Sequence, residues 1–522
     1  VVEVQSLVFC KWLYIPIKST HIGFLIRPSL NGLFFRNPRD LGEPLFAYLA
    51  ALMGKKKSKE PKFYENLEIV SAGSEGKSIA RPDGKVVMVE YAVPGDVVNA
   101  RVIQSKRRFE LATITELLKA SPDRVETFCE HFGTCGGCKW QQMSYESQLR
   151  YKQQQVQDAF ERIGKFPFPQ MEPILGSSKT THYRNKVEFS STDRKWLTNK
   201  VDIGSLSKAE NAGLGYHIPG RFDKVFDVFT CHLMPTVNDT IRNTVRDFCI
   251  QNDYDFFNLY GQTGFLRNLT LRNNMKGEWM LIVSFGYEDQ EKREALLNHI
   301  HQSIPEISSL MYVINEKRND TIFDLDIKVF QGTDFLIEEL EDLKFKIGPK
   351  SFFQTNAFQT IELYKKAREF AGLTGEELVY DLYTGVGTIA LFVSKLAKKV
   401  IGIESVAQAI EDAKKNALLN QIDHTQFFAG DMKDLLTTDF IETHGRPDVV
   451  ITDPPRAGMH EDVINQLLQV RPKRIVYVSC NPATQARDIA LMTEVYEVKK
   501  VQPVDMFPHT HHVENIALLE LK

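Results

Sequence analysis

The sequence predicts an α/β protein in three parts: a small β-barrel near the N-terminus, a mixed and mainly β middle, and a C-terminal doubly wound sheet. Three observations carry this reading. From about Lys62 to Lys119, short apolar runs alternate with the turn signals GSEGKS and RPDGK, the spacing of a small barrel. Residues 165 to about 345 are rich in Val, Ile, Phe and Thr with frequent Gly, Asn and Asp, and contain strand patterns such as RNLTLRNN and WMLIVSFG. From Glu376 onward, apolar strands alternate with helices, the pattern of a sheet covered on both faces.

A chain of 522 residues exceeds what one hydrophobic core supports, and the expected boundaries are 1–53, 54–119, 120–345 and 346–522. Residues 1–52 hold no Met, no clear period and no signal-peptide pattern, and read as appended sequence translated from a misassigned start. A lineage-specific arm or targeting peptide is the alternative. The net charge of −3 excludes an argument for nucleic-acid binding from overall charge, so any such case rests on local patches. One patch exists: Gly54–Lys119 holds 13 Lys and Arg against 9 Asp and Glu, concentrated at Lys106, Arg107 and Arg108. A charge run of this kind is usually a solvated rim, but on a small barrel it also suits single-stranded RNA. No apolar run reaches membrane-span length, and seven cysteines in so long a chain point to metal or catalysis in a reducing compartment, the cytoplasm.

After the barrel, CEHFGTCGGCKW is a cysteine-bearing loop, followed by a helix that ends near Gly164. Cys129, Cys135 and Cys138 form C-x5-C-x2-C, and Cys231 lies far downstream in TCHLMP. Four thiolates also satisfy zinc. Cys10 and Cys249 read as incidental or buried thiols. In the C-terminal part, ELVYDLYTG, KVIGIES, TQFFAGD, PDVVITDPP and RIVYVSC are strands, and EVKKVQPVDMF with NIALLELK is a closing hairpin.

Ligands in such sheets bind at the carboxyl ends of the strands, where Tyr383, Glu404, Asp453 and Cys480 fall. The turn DLYTGVGTIA has Ala390 where a dinucleotide fingerprint needs a third glycine, and it lacks the Lys of a P-loop. Glu404 ends the second strand, where a carboxylate accepts hydrogen bonds from ribose hydroxyls. A lone cysteine beside a strand is more often a buried hydrophobe than a nucleophile. Cys480, however, ends its strand in VYVSCNP, between TDPPRAG and the HHVEN that supplies Glu514, an arrangement suited to covalent chemistry on a ring. His511 and His512 read as loop surface and stay outside the catalytic set.

Together, SFFQTN (Ser351–Asn356), DLYTGVGT, TDPPRAG, VSCNP and HHVEN resemble the RNA uracil-5-methyltransferase family over almost everything after Met53. The resemblance implies a Rossmann-like class I methyltransferase domain, an N-terminal TRAM barrel and a central domain carrying an iron-sulfur cluster. It implies that Gln354, Tyr383, Glu404 and Asp453 line the S-adenosyl-L-methionine pocket; Asp431 is placed near the adenine by its strand-end position alone. Cys480 would attack carbon 6 of uracil and Glu514 would take the carbon-5 proton. RNA cytosine-5-methyltransferases place a second thiol in the DPP motif and amino-group methyltransferases an aromatic residue, whereas Arg456 stands here. Cluster-bearing members use the observed cysteine spacing, which implies a [4Fe-4S] cluster on Cys129, Cys135, Cys138 and Cys231. The implied partner is RNA, 23S rRNA first and tRNA second, acted on by a monomer without a membrane. A non-catalytic RNA-binding or ribosome-assembly factor is the reading from a different class.

Overall fold

In the computed structural model, residues 61–198, 206–221 and 223–522 are described, and residues 61–522 form one compact unit. The expectations for residues 1–53, including Cys10, lie outside the described residues.

The barrel consists of β1 (Phe63–Glu68), β2 (Ser71–Ala72), β3 (Ser78–Ala80), β4 (Val86–Glu90), β5 (Val97–Ser105) and β6 (Phe109–Lys119), in the order β1-β5-β6-β4-β3-β2. Alternation in these strands turns Leu67, Val87, Val89, Val98, Ala100 and Ala112 inward. Lys106, Arg107 and Arg108 form the exposed β5–β6 turn, with the Lys106 ammonium 5.2 Å from the Phe109 ring centre. The cysteine loop follows, then helix α1 (Tyr145–Ala159), capped by the Ser144 side chain and continued by a wider turn to Gly164.

The central sheet contains β7 (Lys186–Thr192), β8 (Gly213–His217), β9 (Val225–Asp227), β10 (Leu266–Asn273), β11 (Trp279–Phe285), β12 (Ile307–Ile314) and β13 (Lys328–Gly332), in the order β13-β12-β11-β10-β7-β8-β9. Helices α2 (Val237–Gln251) and α3 (Gln290–Ser303) cover one face through Ile241, Val245, Leu296, Leu297 and Ile300. Next comes the hairpin β14 (Leu336–Leu340) and β15 (Leu343–Ile347), whose Leu340, Leu343, Phe345 and Ile347 pack into the core of the C-terminal sheet although the strands precede its first β-α unit.

The C-terminal part runs α4 (Ala357–Ala371), β16 (Leu378–Leu382), α5 (Thr388–Ser394), β17 (Lys399–Glu404), α6 (Ala407–Leu419), β18 (Thr425–Ala429), β19 (Val449–Thr452), α7 (Glu461–Val470), β20 (Arg474–Ser479), α8 (Pro482–Ala490), β21 (Tyr496–Val504) and β22 (Glu514–Leu521). Its sheet order is β18-β17-β16-β19-β20-β22-β21. Strands β16 to β20 pair in parallel, and β22 runs antiparallel between β20 and β21. Covered on both faces, the parallel strands carry continuous apolar runs such as Ile475–Val478, each residue buried. The strand order reverses beside β16, so a crevice opens at the carboxyl ends of β16 and β19. No helix among the described residues is long and apolar enough to cross a membrane.

Candidate active site

The turn leaving β16 is shaped by backbone that bulky residues rarely adopt: Tyr383, Gly385 and Gly387 have φ of 63°, 55° and 82°. Asp381 fixes it from below, its Oδ2 accepting from Thr384 Oγ1 at 2.5 Å and Ala390 N at 3.0 Å. Burial pushes the Asp381 carboxyl up to about 7, and its Oδ1 has no partner. On the neighbouring strand end, Glu404 Oε2 accepts from Gly385 N at 3.2 Å, while Oε1 accepts from Val406 N and Ser405 Oγ at 3.0 Å each. A Cβ built on Gly385 would meet nothing within 4 Å, so the space above the turn is open to a ligand. Burial, followed by the charges of Asp431, Asp488 and Glu404, pushes the Tyr383 phenol up to about 12, which draws Tyr383, Glu404 and Asp431 into one neighbourhood. Asp431 itself is exposed and caps the short helix Met432–Leu435, accepting from Lys433 N at 3.2 Å.

Gln354 sits in the strand-to-helix connection before α4. Its carbonyl accepts from Asn185 Nδ2 at 3.1 Å, Asn185 N donates to Thr355 O at 2.9 Å, and Asn356 caps α4. Its neighbour Phe352 is 72% exposed, a large apolar surface that the pattern of apolar residues did not single out.

Asp453 follows β19, its N–H reaching Leu382 O at 3.4 Å, so the TDPPRAG strand end is tied to the glycine turn. The rest of that motif is fastened to α8. Asn481 Nδ2 and Thr484 Oγ1 donate to Arg456 O at 3.0 and 3.2 Å, and Met459 N donates to Asp488 Oδ2 at 2.8 Å. Gly458, with φ of 81°, is needed here: a Cβ would lie 2.5 Å from Asp488 Oδ2. Cys480 comes between β20 and α8, which starts with the Asn481 cap and Pro482. Because Ser479 pairs with Asn515 across the β20–β22 ladder, Glu514 emerges beside Cys480. The sheet register alone brings these two groups together.

Charge and burial define the chemistry available. Burial pushes the Cys480 thiol up to about 11; the charges of Glu514 and Asp453 add to this, and the Arg456 guanidinium opposes it by charge and hydrogen bond. Burial also raises the carboxyls of Glu514 and Asp453, which repel each other, and Arg456 partly relieves Glu514. Arg456, which in the sequence served only to separate families, is thus the cation facing both Cys480 and Glu514. Burial pushes His511 and His512 down to about 4 and 3, so both are neutral, half-buried rings 4.1 Å apart rather than loop surface.

The four cysteines of the candidate ligand set share one neighbourhood. Beyond burial, which dominates, Cys138 feels the charges of Cys135, Cys231 and Cys129, and Cys129 those of Cys135 and Cys231. All four are free thiols. Among the described residues, the group of ligand atoms lying within 4.8 Å of one another is Cys129, Glu130 and His232. Cys249 is fully buried in the apolar core of the central sheet.

Comparison with known proteins agrees with this geometry. A family model described as tRNA (Uracil-5-)-methyltransferase matches residues 324–522, and one described as the TRAM domain matches residues 66–115. An uncharacterized RNA methyltransferase of Bacteroides thetaiotaomicron is 55% identical over 86% of this chain and 100% of its own length. Another from Porphyromonas gingivalis is 54% identical over 87% and 99%. The solved structure of Pyrococcus abyssi tRNA (uracil-54, C5)-methyltransferase in complex with S-adenosyl-L-homocysteine is similar with a TM-score of 0.68 and 26% identity, covering 87% of this chain and 100% of that one. With a TRAM barrel in front, a class I methyltransferase fold behind and relatives matched over nearly their whole length, the chain belongs to the RNA uracil-5-methyltransferase family.

Proposed function

We propose that this enzyme methylates carbon 5 of one uridine in RNA, with 23S rRNA the first substrate and tRNA the second, through a covalent Cys480 adduct. The observation that carries the reading is the meeting of Cys480, Arg456 and Glu514 at one sheet edge, beside the crevice of Gly385 and Glu404. S-adenosyl-L-methionine supplies the methyl group as a cation equivalent and leaves as a thioether. Glu404, pre-oriented by three hydrogen bonds, suits its ribose, and Gln354, Tyr383, Asp453 and Asp431 are assigned to the rest of the donor pocket. The open space over Gly385 and the unpaired Oδ1 of Asp381 fit a polar ligand there.

Carbon 5 of uracil is a weak nucleophile. Cys480 gives up its proton to a neighbouring carboxylate or water, and its sulfur bonds to carbon 6. The electron pair of the 5,6 double bond moves toward the oxygen on carbon 4, and the resulting enolate takes the methyl group at carbon 5. Glu514 then removes the carbon-5 proton, the double bond re-forms, and the thiolate leaves. Glu514 must be ionised at that moment, which the Arg456 cation favours. The reacting base has to leave its stack, and the exposed Phe352 beside Gln354 offers a ring on which a neighbouring base can stack.

We assign a [4Fe-4S] cluster to Cys129, Cys135, Cys138 and Cys231. A tetrahedral zinc site with bonds of about 2.3 Å needs sulfurs about 3.8 Å apart. The tight group here is instead Cys129, Glu130 and His232, while the charges of Cys135, Cys231 and Cys129 all reach Cys138, a neighbourhood that supports four-thiolate ligation of a cluster. Bound there, a cluster would tie residues 129–138 to Cys231 through its four thiolate ligands.

The test is RNA bearing 5-fluorouridine. Fluorine cannot leave as a cation, so wild type should form a denaturant-stable methylated adduct and Cys480→Ala none. No adduct with wild type, or the same adduct with the variant, would remove the covalent reading. Separating tRNA from 23S rRNA after labelling with radioactive S-adenosyl-L-methionine decides the substrate.

A further inference from the structure

The connection from β21 to β22, residues 505–513, delivers Glu514 to the site, yet its main chain is held by residues from far earlier in the sequence. At its middle, His509 has φ of 65°, a left-handed conformation that a residue other than glycine keeps only where its surroundings over-determine it. Gln148 on α1 provides that constraint. Its Oε1 accepts from His509 N at 2.8 Å, and its Nε2 lies 3.2 Å from His509 Nδ1 while donating to Met143 O at 2.9 Å and Trp140 O at 3.0 Å. The carbonyl of His509 accepts from Lys139 N and Trp140 N at 3.0 Å each, directly after the last cysteine of the loop.

One helical turn on, Lys152 continues the grip: its ammonium is 2.6 Å from Asp505 Oδ1, both side chains fully buried, and donates to Phe507 O at 3.0 Å. Tyr183 Oη donates to Pro508 O at 3.0 Å. The carbonyls of Phe507, Pro508 and His509 are thus satisfied from outside the C-terminal sheet. Beyond the loop, the barrel turn at Gly76 reaches the same place: a Cβ there would lie 3.4 Å from His511 Nδ1.

We infer that Gln148, assisted by Lys152, is a positioning residue for the proton-removal step, clamping His509 so that the loop presents Glu514 to carbon 5. The inference rests on the reading of Glu514 as the base. Gln148→Met removes the clamp while keeping the bulk. In single turnover it should form the methylated adduct at a rate within about threefold of wild type but release product about 10- to 100-fold more slowly, the scale of a small misplacement. Amide exchange should rise in residues 506–513, and Lys152→Met should act in the same direction. S-adenosyl-L-homocysteine binding should not change.

A purely structural role would slow adduct formation and release together, and that result, or unchanged exchange in the loop, overturns the inference. Wild-type release from Gln148→Met, with slow release from Glu514→Gln, also overturns it. Wild-type release from both variants instead overturns the base assignment.

Discussion

Arg456→Met isolates what a single cation does for the nucleophile. The Cys480 thiol stands at about 11 even with Arg456 present, because burial and the charges of Glu514 and Asp453 all favour the protonated form. A hydrogen bond to a charged group is worth about 1.5–3 kcal/mol, and Arg456 is exposed enough for water to screen it, so the lower end applies. About 1.5 kcal/mol is about one pKa unit. The sign follows directly: without the guanidinium the thiolate is less stabilised, so the thiol titrates at higher pH. The fold of the motif should survive, since Asn481 and Thr484 hold the carbonyl of residue 456 rather than its side chain. Iodoacetamide alkylation of Cys480, followed against pH by mass spectrometry, should move alkaline by about one unit, and adduct formation with fluorouridine RNA at neutral pH should slow about threefold, the roughly tenfold loss of thiolate being partly offset by its greater nucleophilicity. An unmoved alkylation profile, or one moved to lower pH, would refute the argument that Arg456 acts on the thiol.

Glu514→Gln should methylate but accumulate the covalent RNA adduct in a single turnover, read on a denaturing gel; free product at the wild-type rate would assign the proton to another group. Purified under nitrogen, the protein should be brown with iron and sulfide in it, and Cys138→Ser should lose most of both; stoichiometric zinc in a colourless, active protein would reverse the cluster assignment. Replacing Lys106, Arg107 and Arg108 with Ala should weaken RNA binding and lower the salt slope by up to about 2, at about 0.7 per single-strand phosphate contact; an unchanged slope would make the turn a solvated rim. Asp381 has a folded pKa raised from 3.8 to about 7, so the stability it contributes is complete below pH 3.8 and is lost as pH rises through 7. Asp381→Asn should flatten the decline in melting temperature over that window, and an identical pH profile would count against a buried, protonated Asp381.

What was readable in the sequence had a local pattern. Strand ends were marked by apolar runs that stop at a polar residue, so Glu404, Asp453 and Cys480 fell at the sheet edge, and the register of β20 on β22 then placed Glu514 beside the thiol. The hairpin Leu336–Ile347 alternates like any strand pair, and nothing local in it says that its apolar face belongs to the C-terminal core. Arg456 was visible in TDPPRAG as a family marker, but its action on Cys480 requires the fold. The two histidines of HHVEN looked like surface because His in a loop usually is; only burial against residues remote in sequence makes them neutral. Gln148 and Lys152 lie on a helix with an ordinary polar pattern, and their partners are 361 and 353 positions away.

A thiol near 11 bears on which step the fold must assist. Basic thiolates are intrinsically strong nucleophiles, but they are poor leaving groups for the same reason. In the proposed mechanism, once Cys480 has added to carbon 6 its basicity works against expulsion, and the adduct persists until the carbon-5 proton is taken. Both steps then need help: attack needs Arg456 to favour the thiolate, and release depends on the geometry with which Glu514 meets the carbon-5 proton. That is where the structure concentrates its constraints: β22 fixes Glu514 by register, Gln148 and Lys152 hold the loop before it, and the barrel turn at Gly76 backs His511 from outside. Around the thiol itself, the Arg456 guanidinium is the cation that lowers Cys480 by charge and hydrogen bond.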